Sequence, residues 1–209
     1  MEGLRFVGAH VPAEGLMCTE CRLVPPQFAR AVAYGVFGDE MREMIHLLKY
    51  ERVRSMARPV GSKLAAAILM LEGSAANPLM VVPVPLHPLK EKARGYNQAL
   101  LLAEAALREL KRTHPLWGLQ LQNDILRRVR DTASQYSLTA RQRRANLQGA
   151  FTVVEDAPIV GREVLLVDDI YTTGATAREC ARVLRRAGAS KVWVATATRA
   201  QPEMVARWG

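Results

Sequence analysis

Hydrophobic and polar positions alternate along the chain in two rhythms, one typical of helices and one typical of buried strands. Met41, Ile45 and Leu48 recur at helical spacing, which predicts a helix with one apolar face. Asp39 stands just before this face, where it can cap the first turn. The same spacing predicts further helices over residues 60–71, 98–110 and 175–187.

Short apolar runs between these helices predict strands. They cover residues 31–37, 79–84, 151–154, 164–167 and 191–196. The run over residues 164–167 has no polar face, as is typical of a central parallel strand. Helices that alternate with buried strands predict an α/β fold, an open and mostly parallel sheet flanked by helices.

The composition is that of a globular protein. Of the 209 residues, 49% are hydrophobic and 23% are charged, which excludes an intrinsically disordered chain. The longest apolar runs have the length of strands, so the sequence predicts no membrane-spanning helix. The first residues lack the apolar core of a signal peptide, and 3 cysteines are too few for a disulfide framework. These features favour a cytoplasmic protein.

The first thirty residues differ from the rest of the chain. Residues 1–30 are rich in Gly and Pro and show little periodicity, so they are predicted to form a small irregular lobe before an α/β domain of residues 31–209. Cys18 and Cys21 in this lobe have the spacing of half a zinc site. A structural zinc ion usually takes four nitrogen or sulfur ligands, so we expect no stoichiometric zinc here, with His10 as a conceivable third ligand.

The strongest chemical signal spans residues 164–176, where Asp168 and Asp169 follow the apolar strand and precede a hydroxyl-rich loop and a helix. Ligands bind at the carboxyl ends of strands in open α/β sheets. Gly174 permits close backbone approach, and the free N–H groups at a helix start favour a phosphate group. Adjacent carboxylates beside such a site suit a ligand with neighbouring hydroxyl groups, as in a ribose. Two ionised carboxylates repel each other, so changing both to Asn should leave stability unchanged or slightly raised.

Each piece of this motif also occurs for structural reasons alone. An Asp pair after a strand commonly forms a turn and a cap, and Thr-Thr-Gly commonly begins a helix. The order and spacing of all the pieces together favour a ligand site. The motif is neither a P-loop nor a dinucleotide-binding fingerprint, because the lysine of the first and the glycine spacing of the second are missing.

Residues 164–176 resemble the phosphoribosyl pyrophosphate motif of type I phosphoribosyltransferases. The resemblance implies a type I phosphoribosyltransferase-like fold in which Asp168 and Asp169 bind the ribose hydroxyl groups. It also implies a loop that binds the 5′-phosphate, made of Thr172, Thr173, Gly174, Ala175 and Thr176. Residues 82–88 and 94–98 resemble the ComF/GntX branch of this family. Many ComF-like chains carry an N-terminal zinc ribbon, so residues 1–30 resemble a remnant of that ribbon, or a hood over the site.

The resemblance implies a pyrophosphate site at Pro83, Val84 and Pro85. Prolines fix the backbone, so the N–H group of Val84 is predicted to face an anion. A plain turn explains the same residues nearly as well.

A predicted basic loop follows over residues 90–97, with Lys90, Lys92 and Arg94 before a glycine. The resemblance implies that these cations close over the leaving pyrophosphate and stabilise its charge. A solvated loop without such a role is the alternative. Asn97 is predicted to cap the helix that begins next.

The chain is basic, with a formal net charge of +9. Arginines crowd one stretch in particular, namely Arg127, Arg128, Arg130, Arg141, Arg143 and Arg144. Nucleic acid would use such a patch through its phosphates, and a solvated helix face or a homodimer contact explains it equally well. Tyr136 is the one aromatic residue of this stretch, so interleaved rings for stacking on single strands are missing.

The resemblance implies transfer of phosphoribose from magnesium-bound phosphoribosyl pyrophosphate to a nitrogen acceptor, with release of pyrophosphate. Mg²⁺ would arrive largely with the substrate, since it keeps waters and binds phosphates readily. Asp169 is the nearest candidate for a catalytic base by position. The alternative is a non-catalytic module with the same fold, which senses phosphoribosyl pyrophosphate or binds DNA or a protein of the competence machinery.

Overall fold

The structure is a computed structural model that describes residues 23–131 and 140–200, without the side chains of residues 140, 141, 143 and 144. Its strands are β1 Arg30–Val36, β2 Leu79–Pro83, β3 Leu119–Leu121, β4 Leu126–Arg128, β5 Phe151–Val153, β6 Glu163–Tyr171 and β7 Lys191–Arg199. Its helices are α1 Asp39–Lys49, α2 Ala57–Leu69, α3 Pro88–Arg94, α4 Gln98–Thr113, α5 Ala140–Leu147 and α6 Ala175–Arg186, with a short 3-10 turn at Arg54–Met56.

A five-stranded sheet in the order β1-β7-β6-β2-β3 forms the centre of the fold, and all of its pairings are parallel. β4 and β5 pair separately as an antiparallel ribbon. The prediction of a mostly parallel sheet flanked by helices is confirmed. Within the described ranges, no helix combines the length and the apolar character needed to cross a membrane.

β6 lies near the middle of the sheet and is buried on both faces. Leu165 and Val167 pack into a core with α1, α2 and α4, whereas Val164 and Leu166 pack into a second core with α6 and the β4–β5 ribbon. All four side chains are 0% exposed. Because two cores hold β6 in place, the residues at its carboxyl end have fixed positions.

The end of β6 differs from its predicted boundary. The strand was expected to end at Val167, but Asp168 continues the pairing opposite Thr196, and the strand ends at Tyr171. The carboxylates consequently belong to the sheet itself and not to the loop after it. The backbone hydrogen bonds of the parallel ladder fix where they stand.

Two other local predictions are corrected. Gly38, in extended conformation, is the capping residue of α1, and Asp39 is its first helical residue. A basic loop was expected over residues 90–97, but residues 90–94 belong to the helix α3. His87 caps α3 through Leu89 N at 3.4 Å, and Gly95 ends it in the left-handed conformation with φ 86°.

Candidate functional site

A cleft of about 970 Å³ opens where the carboxyl ends of β2 and β6 face α1. The loop after β2 and the start of α6 contribute to its floor, and Arg128 reaches it from the β4–β5 ribbon. The residues that line the cleft from α1 and its flanks are Phe37, Asp39, Arg42, Glu43, Ile45, His46, Lys49 and Tyr50. A cleft of this volume is ample for a small-molecule ligand.

The loop between β6 and α6 has the geometry that the motif predicts. Gly174 has φ 71° at the start of α6, and a Cβ atom there would lie 2.2 Å from the Tyr171 hydroxyl oxygen, so a larger residue would be strained and would have to displace the Tyr171 ring. Asp168 shares a narrow recess with Thr172, Gly174, Ala175 and Thr176. The structure therefore brings the first carboxylate together with four of the five loop residues assigned to a phosphate.

Thr173, the fifth loop residue, contributes a buried hydroxyl group. Its Oγ1 atom has no hydrogen-bond partner within the described part of the chain. A buried hydroxyl without a partner costs free energy, which a ligand oxygen next to it would recover. The first N–H groups of α6 likewise have no partner inside the helix, as at any helix start. The loop is thus rich in donors for an anion.

The two carboxylates have opposite environments although they are neighbours. The backbone N–H of Asp169 donates to Asp168 Oδ1 at 2.9 Å, and the N–H of Ile170 donates to Asp169 Oδ1 at 3.0 Å. Burial, followed by the charge of Asp169, raises the pKa of Asp168 well above its usual value. Burial also acts to raise the pKa of Asp169, but the Lys49 ammonium group and further hydrogen bonds outweigh it and lower that pKa.

This asymmetry changes the expectation of two ionised, repelling carboxylates. Asp169 is ionised and forms an ion pair with Lys49, and its side chain is 5% exposed. Asp168 holds its proton to higher pH than an ordinary Asp. A carboxylate with a lowered pKa is a weak proton acceptor, and the role of Asp169 as a catalytic base stays a prediction.

Lys49 and Arg128 are cationic residues of the cleft that the phosphoribosyl motif does not contain. Lys49 stands in the last turn of a helix, where a cation is ordinary because of the helix dipole, so its position alone does not indicate a contact with Asp169. Arg128 was counted in the Arg-rich stretch, but its guanidinium lies 5.5 Å from the Phe151 ring and lines the cleft. Burial lowers the pKa of Arg128, although nearby acidic groups, Asp168 among them, act against this shift.

The segment predicted for pyrophosphate is only partly at the cleft. Val84 and Pro85 line it, whereas Pro83 belongs to β2 and pairs with Val167. The prediction that the Val84 N–H group faces an anion is wrong, because that group donates to the Val167 carbonyl oxygen at 2.9 Å. The ladder between β2 and β6 continues one residue past β2 and uses the donor.

The three predicted cations of the basic segment do not line the cleft. Lys90 lies on α3 with its Nζ 3.6 Å from Asp131 Oδ1, and Lys92 is exposed on the same helix. Arg94 donates to Gln98 Oε1 and lies 6.0 Å from the Tyr50 ring centroid, so it reaches the rim. Its charge helps to lower the pKa of Asp169, after the larger effect of Lys49.

The residues that follow α3 connect the walls of the cleft. Tyr96 donates its hydroxyl hydrogen to the Leu48 carbonyl oxygen at the end of α1. Asn97 donates from Nδ2 to the Val84 carbonyl oxygen at 3.0 Å, and its Oδ1 caps α4 by accepting from Ala99 N at 2.9 Å. The prediction of Asn97 as a cap is confirmed, and its second contact is one that sequence alone does not indicate.

Several predicted residues lie beyond this description. Cys18 and Cys21 fall outside the described residues, as does Tyr136, and nothing is described of the side chains of Arg143 and Arg144. Within residues 23–131 and 140–200, no group of three or more His, Cys, Asp or Glu side chains is placed to hold a metal ion.

The chain is similar to a DNA utilization protein and to a competence protein. It is 33% identical over 194 residues to the DNA utilization protein YhgH of Escherichia coli O157:H7, a match that covers 92% of this chain and 79% of that protein. It is 31% identical over 180 residues to competence protein F of Haemophilus influenzae, covering 85% of this chain and 76% of that protein.

Among solved structures, a hypoxanthine phosphoribosyltransferase from Staphylococcus aureus matches with a TM-score of 0.42 and 12% sequence identity. That match covers 72% of this chain and 66% of the other. No protein-family model matches the chain.

Proposed function

The chain belongs to the family of DNA utilization protein YhgH and competence protein F, and we propose that its cleft binds magnesium-bound phosphoribosyl pyrophosphate. The proposed reaction transfers the phosphoribosyl group to a nitrogen acceptor. The nitrogen lone pair forms a bond to the anomeric carbon, and the bond from that carbon to the pyrophosphate oxygen breaks. Pyrophosphate leaves with the bonding electrons, and the acceptor nitrogen loses a proton.

One observation carries this proposal: the carboxylates and the anion-binding loop meet at the end of one strand. Asp168 shares a recess with the residues around Gly174, and Asp169 faces the adjoining cleft. A ribose 5-phosphate carries a phosphate monoester and vicinal hydroxyl groups on one small frame. The N–H groups of the helix start suit the first, and the carboxylates suit the second.

Magnesium fits the proposal as a companion of the substrate. Mg²⁺ keeps several waters and binds phosphate oxygens, and it needs no all-protein cage. When bound, the ion would neutralise charge that develops on the leaving group. Lys49 and Arg128 line the cleft and would add positive charge to the same region.

The acceptor would enter between Asp169 and α1. Phe37 and Tyr50 offer aromatic surface there, and Glu43 and His46 offer polar edges. A wall with rings and polar groups suits a planar nitrogen heterocycle, which stacks on one and hydrogen-bonds to the other. The resemblance implies that residues 1–30 form a hood over the acceptor site. The helix α1 provides a further wall of this site, which the sequence did not indicate.

Calorimetric titration tests the proposal. Wild-type protein should bind magnesium–phosphoribosyl pyrophosphate, and the double variant Asp168→Asn/Asp169→Asn should bind it at least about tenfold more weakly, which is about 1.4 kcal/mol. Inorganic phosphate is the control ligand, since it needs only the loop and should bind both proteins alike. Equal affinity of the two proteins for phosphoribosyl pyrophosphate would contradict the assignment. Release of pyrophosphate with a panel of nucleobases then reports turnover.

A second candidate is a module that binds nucleic acid without turnover. Its support is the net charge of +9 and the names of the relatives, one of which contains the word DNA. Affinity for DNA should then fall steeply with salt and fall again in Arg143→Ala/Arg144→Ala. Absence of binding at low salt, together with pyrophosphate release, would leave the enzyme as the surviving proposal.

A further inference from the structure

Lys49 is the residue of α1 that contacts the carboxylate pair across the cleft. We propose that Lys49 is a positioning residue, whose ammonium group holds the Asp169 carboxylate in place for the vicinal hydroxyl groups of a ribose. The inference rests on the proposed function and adds to it a residue from outside the phosphoribosyl motif. It also gives α1 a role beyond that of a wall.

The ion pair is placed where stability alone does not explain it. The side chains of Lys49 and Asp169 are 19% and 5% exposed, whereas those of the surface pair Lys90 and Asp131 are 41% and 49% exposed. Removing two charges from water costs several kcal/mol per ion, and a buried pair often contributes less than apolar side chains of similar volume. A pair kept at the bottom of an open cleft therefore points to use by a ligand.

The backbone at Lys49 is held in place by a hydrogen bond to the preceding residue, Leu48. The Tyr96 hydroxyl group donates to the carbonyl oxygen of Leu48, which is itself 0% exposed in the core. This contact anchors the last turn of α1 to the start of α4. The Lys49 side chain accordingly begins from a fixed backbone, so the ion pair is held by packing on both sides.

Asp169 keeps room for a ligand after its protein contacts are counted. Oδ1 accepts from the backbone N–H of Ile170 at 3.0 Å, and Oδ2 contacts Lys49. A carboxylate has about four lone-pair directions, so Oδ1 can accept a further hydrogen bond, whereas Oδ2 is buried against Lys49. Bonds to an ionised acceptor are roughly twice as strong as neutral ones, so ligand hydroxyl groups favour an ionised Asp169.

The surroundings of Asp169 show what Lys49 opposes. Asp168 stands beside it on β6, and burial disfavours its charge. Arg94, from α3, acts in the same direction as Lys49 with a smaller effect, and Arg128, from β4, faces Asp168. The other titratable or charged groups that line the cleft are Asp39, Arg42, Glu43 and His46. Without the Lys49 ammonium, burial would act to raise the pKa of Asp169 against only the smaller lowering effects of Asp168 and Arg94.

The test compares Lys49→Met, which keeps the length and removes the charge, with Lys49→Arg, which keeps the charge. Each protein is titrated with magnesium–phosphoribosyl pyrophosphate at several pH values between 5 and 8. Lys49→Met should bind at least about tenfold more weakly at pH 5, which is about 1.4 kcal/mol, and the loss should shrink as pH rises. Lys49→Arg should recover most of the affinity.

Inorganic phosphate and thermal unfolding are the controls. Phosphate affinity should be nearly the same in wild type and Lys49→Met, because the phosphate loop lies outside the ion pair, whereas Lys49→Met should melt at a lower temperature because it leaves the Asp169 carboxylate buried without its cation. If Lys49→Met does not fold, Lys49→Gln is measured in its place with the same expectation. A merely structural lysine would lower stability and leave the pH profile of binding unmoved.

Three outcomes overturn the inference. Equal affinity and an equal pH profile in Lys49→Met would mean that Lys49 does not position Asp169. Tighter binding in that variant would mean that Lys49 competes with the ligand. Absence of binding by the wild type would remove the proposed function itself, and the inference with it, so the two failures are distinguishable.

Discussion

Two segments of this protein were predicted to bind phosphate groups, and the structure treats them differently. The β6–α6 loop, residues 172–176, has the left-handed glycine and the donor-rich helix start that the motif predicts. The segment over residues 83–98 was predicted to direct a backbone N–H group and three cations into the cleft. The structure differs from this prediction, because the N–H group is used in the sheet and the three cations do not line the cleft. Predicted anion sites therefore differ in how firmly a sequence specifies them.

The difference follows from which atoms make the site. In the loop, the donors belong to the backbone, and Gly174 fixes their arrangement within a few residues. In the other segment, the predicted donors are long side chains, whose direction depends on packing. Lys90 extends toward Asp131 and Arg94 toward Gln98, so a run of cations gives no direction by itself.

The largest expected effect breaks the loop at Gly174. Gly174→Ala needs a left-handed backbone and places a Cβ atom 2.2 Å from the Tyr171 hydroxyl oxygen, so the ring must move. We expect it to lower the free energy of unfolding by about 1–3 kcal/mol. Affinity for inorganic phosphate should fall at least about tenfold, which is about 1.4 kcal/mol, as measured by calorimetry.

Gly149→Ala is the matched control for this change. Gly149 also has a left-handed backbone, with φ 69°, but a Cβ atom there meets nothing within 4 Å. It should cost about 1–2 kcal/mol for the backbone alone and leave phosphate affinity unchanged. If Gly174→Ala binds phosphate as well as Gly149→Ala does, close approach at the loop is not what makes the site.

Much of the fold was predictable because its elements repeat a local pattern. The buried run of β6 and the apolar faces of α1, α2, α4 and α6 extend over several turns or strand periods. Among the missed elements, β3 and β4 have three residues each, and α3 carries one large apolar residue, Leu89, that is 64% exposed. Their periodicity is too brief to recognise.

The candidate site was predictable only where the chain is continuous. The carboxylates and the loop lie within one segment, so a motif contains them. Lys49 meets Asp169 across 120 positions of sequence, since 169 − 49 = 120, and only the packing of α1 brings them together. Arg128 reaches the cleft through the β4–β5 ribbon, and no local pattern distinguishes it from its arginine neighbours.

The second prediction tests whether residues 83–98 stabilise the cleft through the two hydrogen bonds of Asn97, which join the start of α4 to the loop after β2. Asn97→Ala removes the cap of α4 and the bond to the Val84 carbonyl oxygen, so we expect the free energy of unfolding to fall by about 1–2 kcal/mol. Chemical denaturation measures this loss. Affinity for magnesium–phosphoribosyl pyrophosphate should fall as well, because Val84 lines the cleft.

Asn77→Ala is the control variant for Asn97→Ala. Asn77 also bridges two chain segments, by donating to the Leu116 carbonyl oxygen at 2.9 Å and accepting from Gly118 N at 2.8 Å. It lies outside the cleft lining, so its loss should lower stability without changing ligand affinity. Loss of affinity in both variants would mean that general destabilisation, and not the loss of the Asn97 hydrogen bonds, weakens binding.

The third prediction concerns Asp168, at the carboxyl end of β6, and its effect on how stability depends on pH. Its pKa is raised in the folded protein by burial and by Asp169, from about 3.9 in an unfolded chain. The folded state therefore binds the proton more tightly, and this group lowers stability as pH rises from about 4 through the folded pKa. Asp168→Asn removes the dependence.

Melting temperatures at several pH values measure this effect. The difference between Asp168→Asn and wild type should move in favour of the variant as pH rises from 4 to 8. Asp169→Asn should instead be less stable than wild type by a nearly constant amount over this range, because it removes the ionised partner of Lys49, and the deficit should shrink only as pH falls below about 4. A flat difference for Asp168→Asn would mean that its carboxyl group titrates as an ordinary Asp.

The smallest expected effect concerns the basic helix itself. Lys92 is exposed on α3 and lies outside the cleft lining, so Lys92→Ala should change the free energy of unfolding by less than about 0.5 kcal/mol. Arg94 contacts Gln98 and Tyr50, which line the cleft, so Arg94→Ala should weaken binding of magnesium–phosphoribosyl pyrophosphate more than Lys92→Ala does. The charge of Arg94 acts on Asp169, whereas that of Lys92 is screened by solvent. If Lys92→Ala instead weakens binding as much as Arg94→Ala, α3 closes over the ligand after all, and the leaving-group role that the resemblance implies for this segment would be restored.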